Sequence, residues 1–242
     1  MASVVLRFLG VIIIGYLLGS IPFGLLIGQR AGVDVRRTGS GKTGATNVLR
    51  SVGLGAALLV AAGDVAKGAV PVLIAQLILA TPSSFGAYAN LAPWAAAFAG
   101  LAAIAGHNYP IYVNFKGGRG VSTTGGMALA LAFPATLISL VFFAVPIAIT
   151  RYVSLGSMIG AVAVAFAELV FIKLGVVSGG DGWPAFFALL VAAIAIIASH
   201  RDNIQRIISG TERKLGEKSP PTSSGSTPPR PIFPFHVRQR TR

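Results

Sequence analysis

Residues 121–150, VSTTGGMALALAFPATLISLVFFAVPIAIT, form a run of 30 residues without one charged side chain. A helix needs about 20 apolar residues to cross a bilayer, so this run is too long for one span and too short for two full ones. Pro134 and Pro146 can mark a turn and a kink within it. Whether the run crosses the membrane once or twice decides the topology of the whole chain.

Further apolar blocks, rich in Ala, Leu, Val and Ile, cover residues 4–27, 54–80, 91–106, 153–172 and 183–199. The first block is too long for the apolar part of a signal peptide and lacks a convincing cleavage site, so we predict a retained span. Of the 242 residues, 54% are hydrophobic and 11% are charged, whereas soluble domains carry about 25% charged residues. This composition excludes the soluble globular, fibrous and disordered classes and predicts an all-α bundle in a membrane.

The positions of the basic residues predict the orientation. The connection 28–53 holds five Lys and Arg residues, 107–120 holds two, position 151 holds one and the chain from 201 onwards holds nine, whereas 81–90 and 175–182 hold none. The positive-inside rule assigns the first group to the cytoplasm and the second to the outside, which puts the N-terminus outside and the C-terminus in the cytoplasm. A single crossing by residues 121–150 would leave the nine cations outside. We therefore predict seven helical passes, two of them short, with five full spans as the alternative.

The end of the chain has a different composition. Residues 219–242 are rich in Pro, Ser, Thr and Arg, which predicts a disordered, basic cytoplasmic tail after an integral-membrane domain at 1–218. The chain has no Cys and three widely spaced His residues. It therefore has no disulfide, no thiolate zinc site and no Cys nucleophile, and we expect no metal site.

Two glycine-rich, basic segments, at 36–50 and 106–126, lie on the predicted cytoplasmic side. Glycines let backbone N–H groups converge on an anion, and adjacent Lys and Arg side chains and a following helix N-terminus add positive charge. We interpret both as phosphate-binding loops; the alternative is two flexible turns whose cations only obey the positive-inside rule. We reject a Walker P-loop at Gly41-Lys42-Thr43, because Arg36 stands where that motif needs its first glycine.

Charged residues inside the apolar blocks are costly at membrane depth, and they usually pair or serve a site. Asp64 and Lys67 lie three residues apart and would share a helix face, so we expect an ion pair with a structural role. Glu168 stands alone in its block, and we expect it to find a polar partner or an aqueous pocket. After the last block, His200 and Asn203 would share a helix face at the water boundary.

Six ordered motifs carry a resemblance to a known family. They are GSIPFG at 19–24, GSGKTGATNVLR at 39–50, DVAKG at 64–68, GHNYPIYVNFKGGRGVST at 106–123, YVSLGS at 152–157 and HRDNIQRIISGTERK at 200–214. In these, the chain resembles the bacterial acyl-phosphate:glycerol-3-phosphate acyltransferases of the PlsY type, from about residue 15 to residue 214. It departs from that family at Lys42, Arg119 and Ser122, where asparagine, lysine and alanine are usual.

The resemblance implies a seven-helix protein of the bacterial inner membrane with its active site on the cytoplasmic side. It implies acyl transfer from acyl phosphate to glycerol 3-phosphate, giving lysophosphatidate in the first acylation of phospholipid synthesis. It also implies no metal or other cofactor and no nucleic acid. The expected partners are the two substrates, the lipid bilayer and a soluble enzyme that forms the acyl phosphate.

The same resemblance implies three groups of site residues. The catalytic group is His200, Asn203 and Ser40. The substrate-phosphate group is Gly39, Gly41, Asn47, Arg50, Lys116, Gly117, Gly118, Arg119, Gly120, Ser154 and Ser157. A supporting group is His107, Asp64 and Lys67.

An acyl phosphate is already activated, so the glycerol 3-phosphate hydroxyl can attack it directly. The sequence is consistent with this direct attack, since it has no Cys and no Gly-x-Ser-x-Gly motif that would supply a nucleophile. We expect the loops to hold two phosphates close together and an apolar groove between helices to hold the acyl chain. The proton of the hydroxyl can go to His200 or to a substrate phosphate. We favour the phosphate, with His200 binding and orienting the substrate.

A transporter or channel for phosphate or an organic anion is the rival interpretation, because Asp64, Lys67 and Glu168 lie within the apolar blocks. Against it, the glycine-rich motifs lie in predicted cytoplasmic loops and not near the bilayer midplane. A non-catalytic lipid-binding scaffold is a third interpretation, which leaves the six motifs unexplained.

Overall fold

The computed structural model describes residues 2–79 and 90–217. In these ranges the chain is helical and contains no strand. The tail predicted at 219–242 and most of the connection predicted at 81–90 lie outside the described residues. The helices are α1 (Ala2–Gly19), α2 (Phe23–Arg30), α3 (Ala45–Ser51), α4 (Leu54–Leu79), α5 (Ala92–Asn108), α6 (Val121–Leu131), α7 (Phe133–Thr150), α8 (Val153–Lys173), α9 (Gly179–Ser199) and α10 (Arg201–Ile208), with short 3-10 turns at Val35–Arg37 and Ile111–Val113.

Seven of these helices are apolar: α1 and α4 to α9. In the part of the chain that the structure describes, five segments are long and apolar enough to cross a membrane, namely Val4–Arg30, Leu54–Ile78, Phe133–Thr150, Val153–Lys173 and Gly179–Ser199. Helix α5 has 17 residues and α6 has 11. The predicted set of seven helices is therefore confirmed, although only α6 of the two helices formed by residues 121–150 is short, because α7 is long enough to cross a membrane.

The uncharged run 121–150 forms two helices, which meet at Ala132. This residue leaves the helical conformation, with φ −144° and ψ 58°. Pro134 lies in the first turn of α7, where its missing N–H is not needed, and Pro146 lies inside that helix. The break therefore lies just before Pro134, because proline is favourable at the start of a helix and unfavourable after its first turn.

Small residues let the helices approach closely, as is typical of membrane bundles. A Cβ added at Gly19 of α1 would collide with the backbone of Ala103 on α5. One added at Gly68 of α4 would collide with the carbonyl oxygen of Thr123 on α6. The main core contains many alanines from α5, α6, α8 and α9. Large apolar side chains such as Leu77, Ile149 and Phe166 are exposed on the outside, where lipid would cover them.

Glu168 departs from expectation. Its side chain is buried in α8, with the residue 1% exposed, and neither carboxylate oxygen has a hydrogen-bond partner among the described residues. The polar partner predicted for it is therefore not found in that part of the chain. A buried carboxyl group without hydrogen bonds destabilises the fold.

Candidate active site

A polar cavity of about 140 Å³ lies where one set of helix ends meets. It is lined by the segment before α3, by α3 itself, by α4, by the end of α5, by the starts of α6 and α8, by Phe143 of α7 and by the chain from His200 onwards. The starts of α6 and α8 can share a cavity only if α6 and α7 together run away from this end and return to it. This arrangement agrees with the predicted double pass of residues 121–150.

Eleven of the predicted site residues line this cavity. They are Ser40, Asn47, Arg50, Asp64, His107, Arg119, Gly120, Ser154, Ser157, His200 and Asn203. Five parts of the chain that lie far apart in the sequence are thus brought together around one volume. Glu212, Lys42 and Phe143, which the sequence did not single out as site residues, line it as well.

The other six predicted site residues do not line the cavity. Gly39 and Gly41 have φ of 56° and 68°, a conformation that suits glycine, so they shape the first loop. The remaining ones are Lys116, whose side chain is exposed, Gly117 and Gly118, which pack against His107, and Lys67, which pairs with Asp64. Lys116 was predicted to contact phosphate, but Arg119 is the cation of its loop that reaches the cavity.

Asn47 stabilises the first glycine-rich loop, at residues 36–50, through side-chain hydrogen bonds. Its Nδ2 donates hydrogen bonds to the carbonyl oxygens of Val35 at 2.7 Å and Lys42 at 2.8 Å, with a longer one to Thr38 at 3.2 Å. Its Oδ1 accepts a hydrogen bond from the backbone N–H of Ser40 at 3.0 Å. Both N–H groups are therefore used within the loop, so Asn47 shapes the loop, and its direct contact with phosphate stays a prediction.

Two arginines bring positive charge to the cavity, Arg50 from α3 and Arg119 from the segment before α6. Arg50 donates from Nη2 to the carbonyl oxygen of Arg213 at 3.2 Å, and Arg119 donates from Nε to that of Ser199 at 3.0 Å. Burial lowers the pKa of both guanidinium groups below the ordinary value, and nearby cations add to this. They nevertheless stay charged at neutral pH. Within residues 2–79 and 90–217 each guanidinium is anchored through one N–H, which leaves its other donors for an anion.

Glu212 organises the part of the site formed by residues 200–214. Its carboxylate accepts hydrogen bonds from Nδ2 of Asn203 at 2.6 Å, Nε of Arg206 at 2.8 Å and Oγ of Ser154 at 2.8 Å. Burial alone would raise the pKa of this carboxyl, but the three hydrogen bonds outweigh it and the pKa lies below its usual value. Oδ1 of Asn203 is buried and has no partner among the described residues, so it remains as an acceptor.

His200 has a defined tautomer because its Nδ1 lies 2.8 Å from the carbonyl oxygen of Ile196. A carbonyl oxygen can only accept, so Nδ1 carries the proton. Burial lowers the pKa of the imidazole below its usual range; the bond to Ile196 opposes this and the charge of Arg119 adds to it. At neutral pH the ring is therefore uncharged and Nε2 is a hydrogen-bond acceptor.

A buried cluster of ionisable side chains stabilises the second glycine-rich loop, at residues 106–126. Oδ1 of Asp64 lies 2.9 Å from Nζ of Lys67 and 3.4 Å from Nδ1 of His107. Lys67 also donates to the carbonyl oxygen of Ile21 at 2.9 Å, and the carbonyl oxygen of His107 accepts from the N–H of Gly118 at 3.1 Å. The expected ion pair is confirmed. The contact between Asp64 and His107 links α4 to the end of α5, and the bond from Gly118 to His107 extends this link to the loop that carries Arg119.

An apolar cavity of about 360 Å³ adjoins the polar one and lies among α4, α6, α7 and α8. The two cavities share Val121, Ser122, Phe143 and Ser157. The site thus combines a cationic volume with an adjacent apolar one. Among residues 2–79 and 90–217, no group of three or more His, Asp or Glu residues could hold a metal ion.

Comparison with known proteins gives consistent matches. Residues 9–210 match the sequence model of the family described as glycerol-3-phosphate acyltransferase. The chain is 44% identical to glycerol-3-phosphate acyltransferase 3 of Dehalococcoides mccartyi, covering 88% of this chain and 98% of that one. It is 41% identical to the glycerol-3-phosphate acyltransferase of Thermus thermophilus, covering 86% and 95%.

Two crystal structures of PlsY, described as an integral membrane glycerol 3-phosphate acyltransferase, share this fold. The glycerol 3-phosphate form matches with a TM-score of 0.74 at 36% identity, over 86% of this chain and 96% of that one. The lysophosphatidic acid form matches with a TM-score of 0.72 at 35% identity, over 86% and 95%.

Proposed function

This chain belongs to the glycerol-3-phosphate acyltransferase family, and we propose that its polar cavity transfers an acyl group from acyl phosphate to glycerol 3-phosphate. The products are lysophosphatidate and phosphate. This assignment is supported above all by one observation: a polar cavity lined by Arg50 and Arg119 adjoins an apolar cavity. An acyl phosphate and a lysophosphatidate both join a phosphate to an apolar chain, and the two connected cavities match those two parts.

The charges of the cavity suit two phosphate groups. The acids that line it are neutralised within the protein, because Asp64 pairs with Lys67 and Glu212 pairs with Arg206. Arg50 and Arg119 have no acidic side chain as a hydrogen-bonding partner in the described part of the chain. Their charge is therefore available to hold substrate phosphates side by side and to stabilise the charge that develops on the leaving phosphate.

The reaction needs no covalent enzyme intermediate. The hydroxyl oxygen of glycerol 3-phosphate attacks the carbonyl carbon of the acyl phosphate, and the bond between that carbon and the bridging oxygen breaks. Phosphate leaves with the electron pair, and the hydroxyl proton passes to a phosphate oxygen. Nε2 of His200 and Oδ1 of Asn203 are acceptors at the cavity, and before the attack they orient glycerol 3-phosphate by accepting hydrogen bonds from its two hydroxyl groups.

The apolar cavity would hold the acyl chain. Its volume of about 360 Å³ has room for roughly twelve methylene groups, if each needs about the 30 Å³ of a water molecule. It begins at Ser122 and Ser157, which also line the polar cavity. An acyl chain whose carbonyl carbon lies between the two cavities can therefore extend directly into the apolar cavity.

The rival transport function has less support in this geometry. Glu168 lines neither cavity, and Lys67 is paired with Asp64. These intramembrane charges do not form a row along one path in the described chain. Uptake of labelled phosphate by liposomes containing the protein would nevertheless favour transport if it exceeded that of empty liposomes.

One assay tests the enzymatic proposal. Purified protein is given glycerol 3-phosphate with either acyl phosphate or acyl-CoA, and lysophosphatidate is measured. We expect product from acyl phosphate and none from acyl-CoA. Product from acyl-CoA alone, or no product from either donor, would contradict the proposal. A soluble enzyme that forms acyl phosphate would supply the donor.

We propose that the cavity opens to the cytoplasm of a bacterial cell, because most basic residues of the described chain, with Arg7 and Lys173 as exceptions, lie in the segments at its end of the molecule. The cysteine-free sequence allows a direct test with single cysteines. A cysteine at Ser178, before α9, should react with a membrane-impermeant thiol reagent added outside intact cells. One at Ser51, in α3 beside the cavity, should react only after the membrane is opened. The opposite pattern would reverse the orientation.

A further inference from the structure

Lys42 is a third cation at the polar cavity, and no side chain in the described part of the chain neutralises it. It lines the cavity together with Arg50 and Arg119. Its carbonyl oxygen accepts the 2.8 Å hydrogen bond from Asn47, so its backbone position is fixed. No hydrogen bond or ion pair of its ammonium group is found within residues 2–79 and 90–217.

The charge balance of the cavity explains why a third cation is useful. The carboxylates of Asp64 and Glu212 are each neutralised by a basic partner, so Lys42, Arg50 and Arg119 leave a surplus of three positive charges. A phosphomonoester carries about −1.5 to −2 at neutral pH. Two such groups therefore exceed the charge of the two arginines, and a third cation is needed to approach neutrality.

We infer that Lys42 binds a substrate phosphate directly in this chain, where the family that the sequence resembles usually has asparagine. The inference rests on the proposed function and identifies a binding residue at a position where the chain departs from the family motif. The two arginines are anchored to backbone carbonyl groups and offer fixed donors. Lys42 offers a compact charge on a flexible stem, which can follow a phosphate as the acyl–phosphate bond breaks.

The kinetic test compares Lys42→Met, which keeps the length of the side chain and removes its charge, with Lys42→Arg. The matched control is Lys214→Met, an exposed residue outside the cavity. The Michaelis constants for glycerol 3-phosphate and for acyl phosphate are measured separately. We expect Lys42→Met to raise at least one of them about tenfold, as the loss of a charge-assisted contact should, and Lys42→Arg to restore most of it. The constant that rises identifies the phosphate that Lys42 binds.

A binding measurement separates this inference from the proposed function, because it needs no turnover. The melting temperature of the detergent-solubilised protein is followed against the concentration of inorganic phosphate. Phosphate should stabilise the wild type and Lys214→Met alike, and Lys42→Met should need about tenfold more phosphate for the same shift. Identical phosphate dependence in all three proteins, or unchanged Michaelis constants in Lys42→Met, would overturn the role of Lys42 even if acyl transfer is observed.

Discussion

Nδ2 of Asn203 donates a hydrogen bond of 2.6 Å to the carboxylate of Glu212, nine residues further along the chain. This bond ties α10 to the segment that follows it and sets the orientation of the Asn203 amide. It uses one of the two N–H groups of Nδ2, and Oδ1 has no partner among the described residues. Oδ1 of Asn203 is therefore suited to accept a hydrogen bond from a substrate hydroxyl group.

Replacing Glu212 should destabilise the protein more than removal of a surface charge does. In Glu212→Gln the pairing with Arg206 is lost, and one of the three donors loses its acceptor. We expect unfolding to become easier by about 1–3 kcal/mol, with a loss of activity. Arg201→Gln is the control, because the Arg201–Asp202 pair is exposed. Equal melting temperatures for the two variants would contradict the role of Glu212.

The lowered pKa of Glu212 also predicts a pH dependence. A carboxyl group whose pKa is lower in the folded state adds stability above the ordinary glutamate value of about 4.3, and loses it as the pH falls through the lower folded value. Thermal stability should therefore fall more steeply below about pH 4.3 in the wild type than in Glu212→Gln. Parallel curves would show that this carboxyl does not couple folding to pH.

The two cations of the second loop should differ in importance. Arg119 lines the cavity, whereas the side chain of Lys116 is exposed and lies outside it. Arg119→Ala should lower kcat/KM by about a hundredfold or more, as loss of a charged group at a developing anion does. Lys116→Ala should lower it much less, and Arg50→Ala should resemble Arg119→Ala. A Lys116→Ala variant as inactive as Arg119→Ala would show that the loop moves its lysine into the site.

Local signals predicted much of this structure. Hydropathy identified the apolar helices, and the spacing of Asp64 and Lys67 identified their ion pair. The double pass of residues 121–150 followed from the charges that flank it. The roles of Asn47 and Glu212 did not follow, because they depend on contacts between segments. Ser154 and Glu212 lie 58 residues apart, and no local pattern pairs them.

The apolar cavity makes a prediction about acyl-chain length. Gly125 of α6 lines it, and a Cβ added there would meet no atom within 4 Å. Leucine at this position fills space that about three methylene groups could use, each contributing about 0.8 kcal/mol on burial. Gly125→Leu should therefore reduce kcat/KM roughly tenfold or more for a hexadecanoyl donor relative to an octanoyl donor.

The control for that variant is Gly55→Leu, in α4. Gly55 also has no atom near an added Cβ, but it lines neither the polar nor the apolar cavity. It should leave the ratio of the two donors unchanged. If Gly125→Leu and Gly55→Leu give the same ratio, the acyl chain lies elsewhere, for example in the larger apolar groove of about 720 Å³ between α7 and α8.

Glu168 should be replaceable by an apolar residue with a gain in stability. Its buried carboxyl group has no hydrogen-bond partner among the described residues. Burial of such a group costs about 1–3 kcal/mol of folding free energy, and an apolar replacement removes this cost. Glu168→Leu should therefore raise the melting temperature by several degrees and leave KM for glycerol 3-phosphate unchanged. A lower melting temperature would indicate a partner for this carboxyl outside the residues described.

The last prediction concerns the proton of the attacking hydroxyl. Nδ1 of His200 is held by Ile196, and the lowered pKa of the ring keeps Nε2 unprotonated at neutral pH. Glutamine can place an acceptor oxygen near the position of Nε2, whereas asparagine reaches only the position of Nδ1. If His200 orients the hydroxyl and a phosphate takes the proton, His200→Gln should retain more activity than His200→Asn, with an unchanged pH–rate profile. If His200 is the general base, the two variants should be equally inactive. The rise of the wild-type rate with pH, centred below the usual histidine value of about 6.5, should then disappear with the imidazole. That second result would overturn the orienting role proposed for His200.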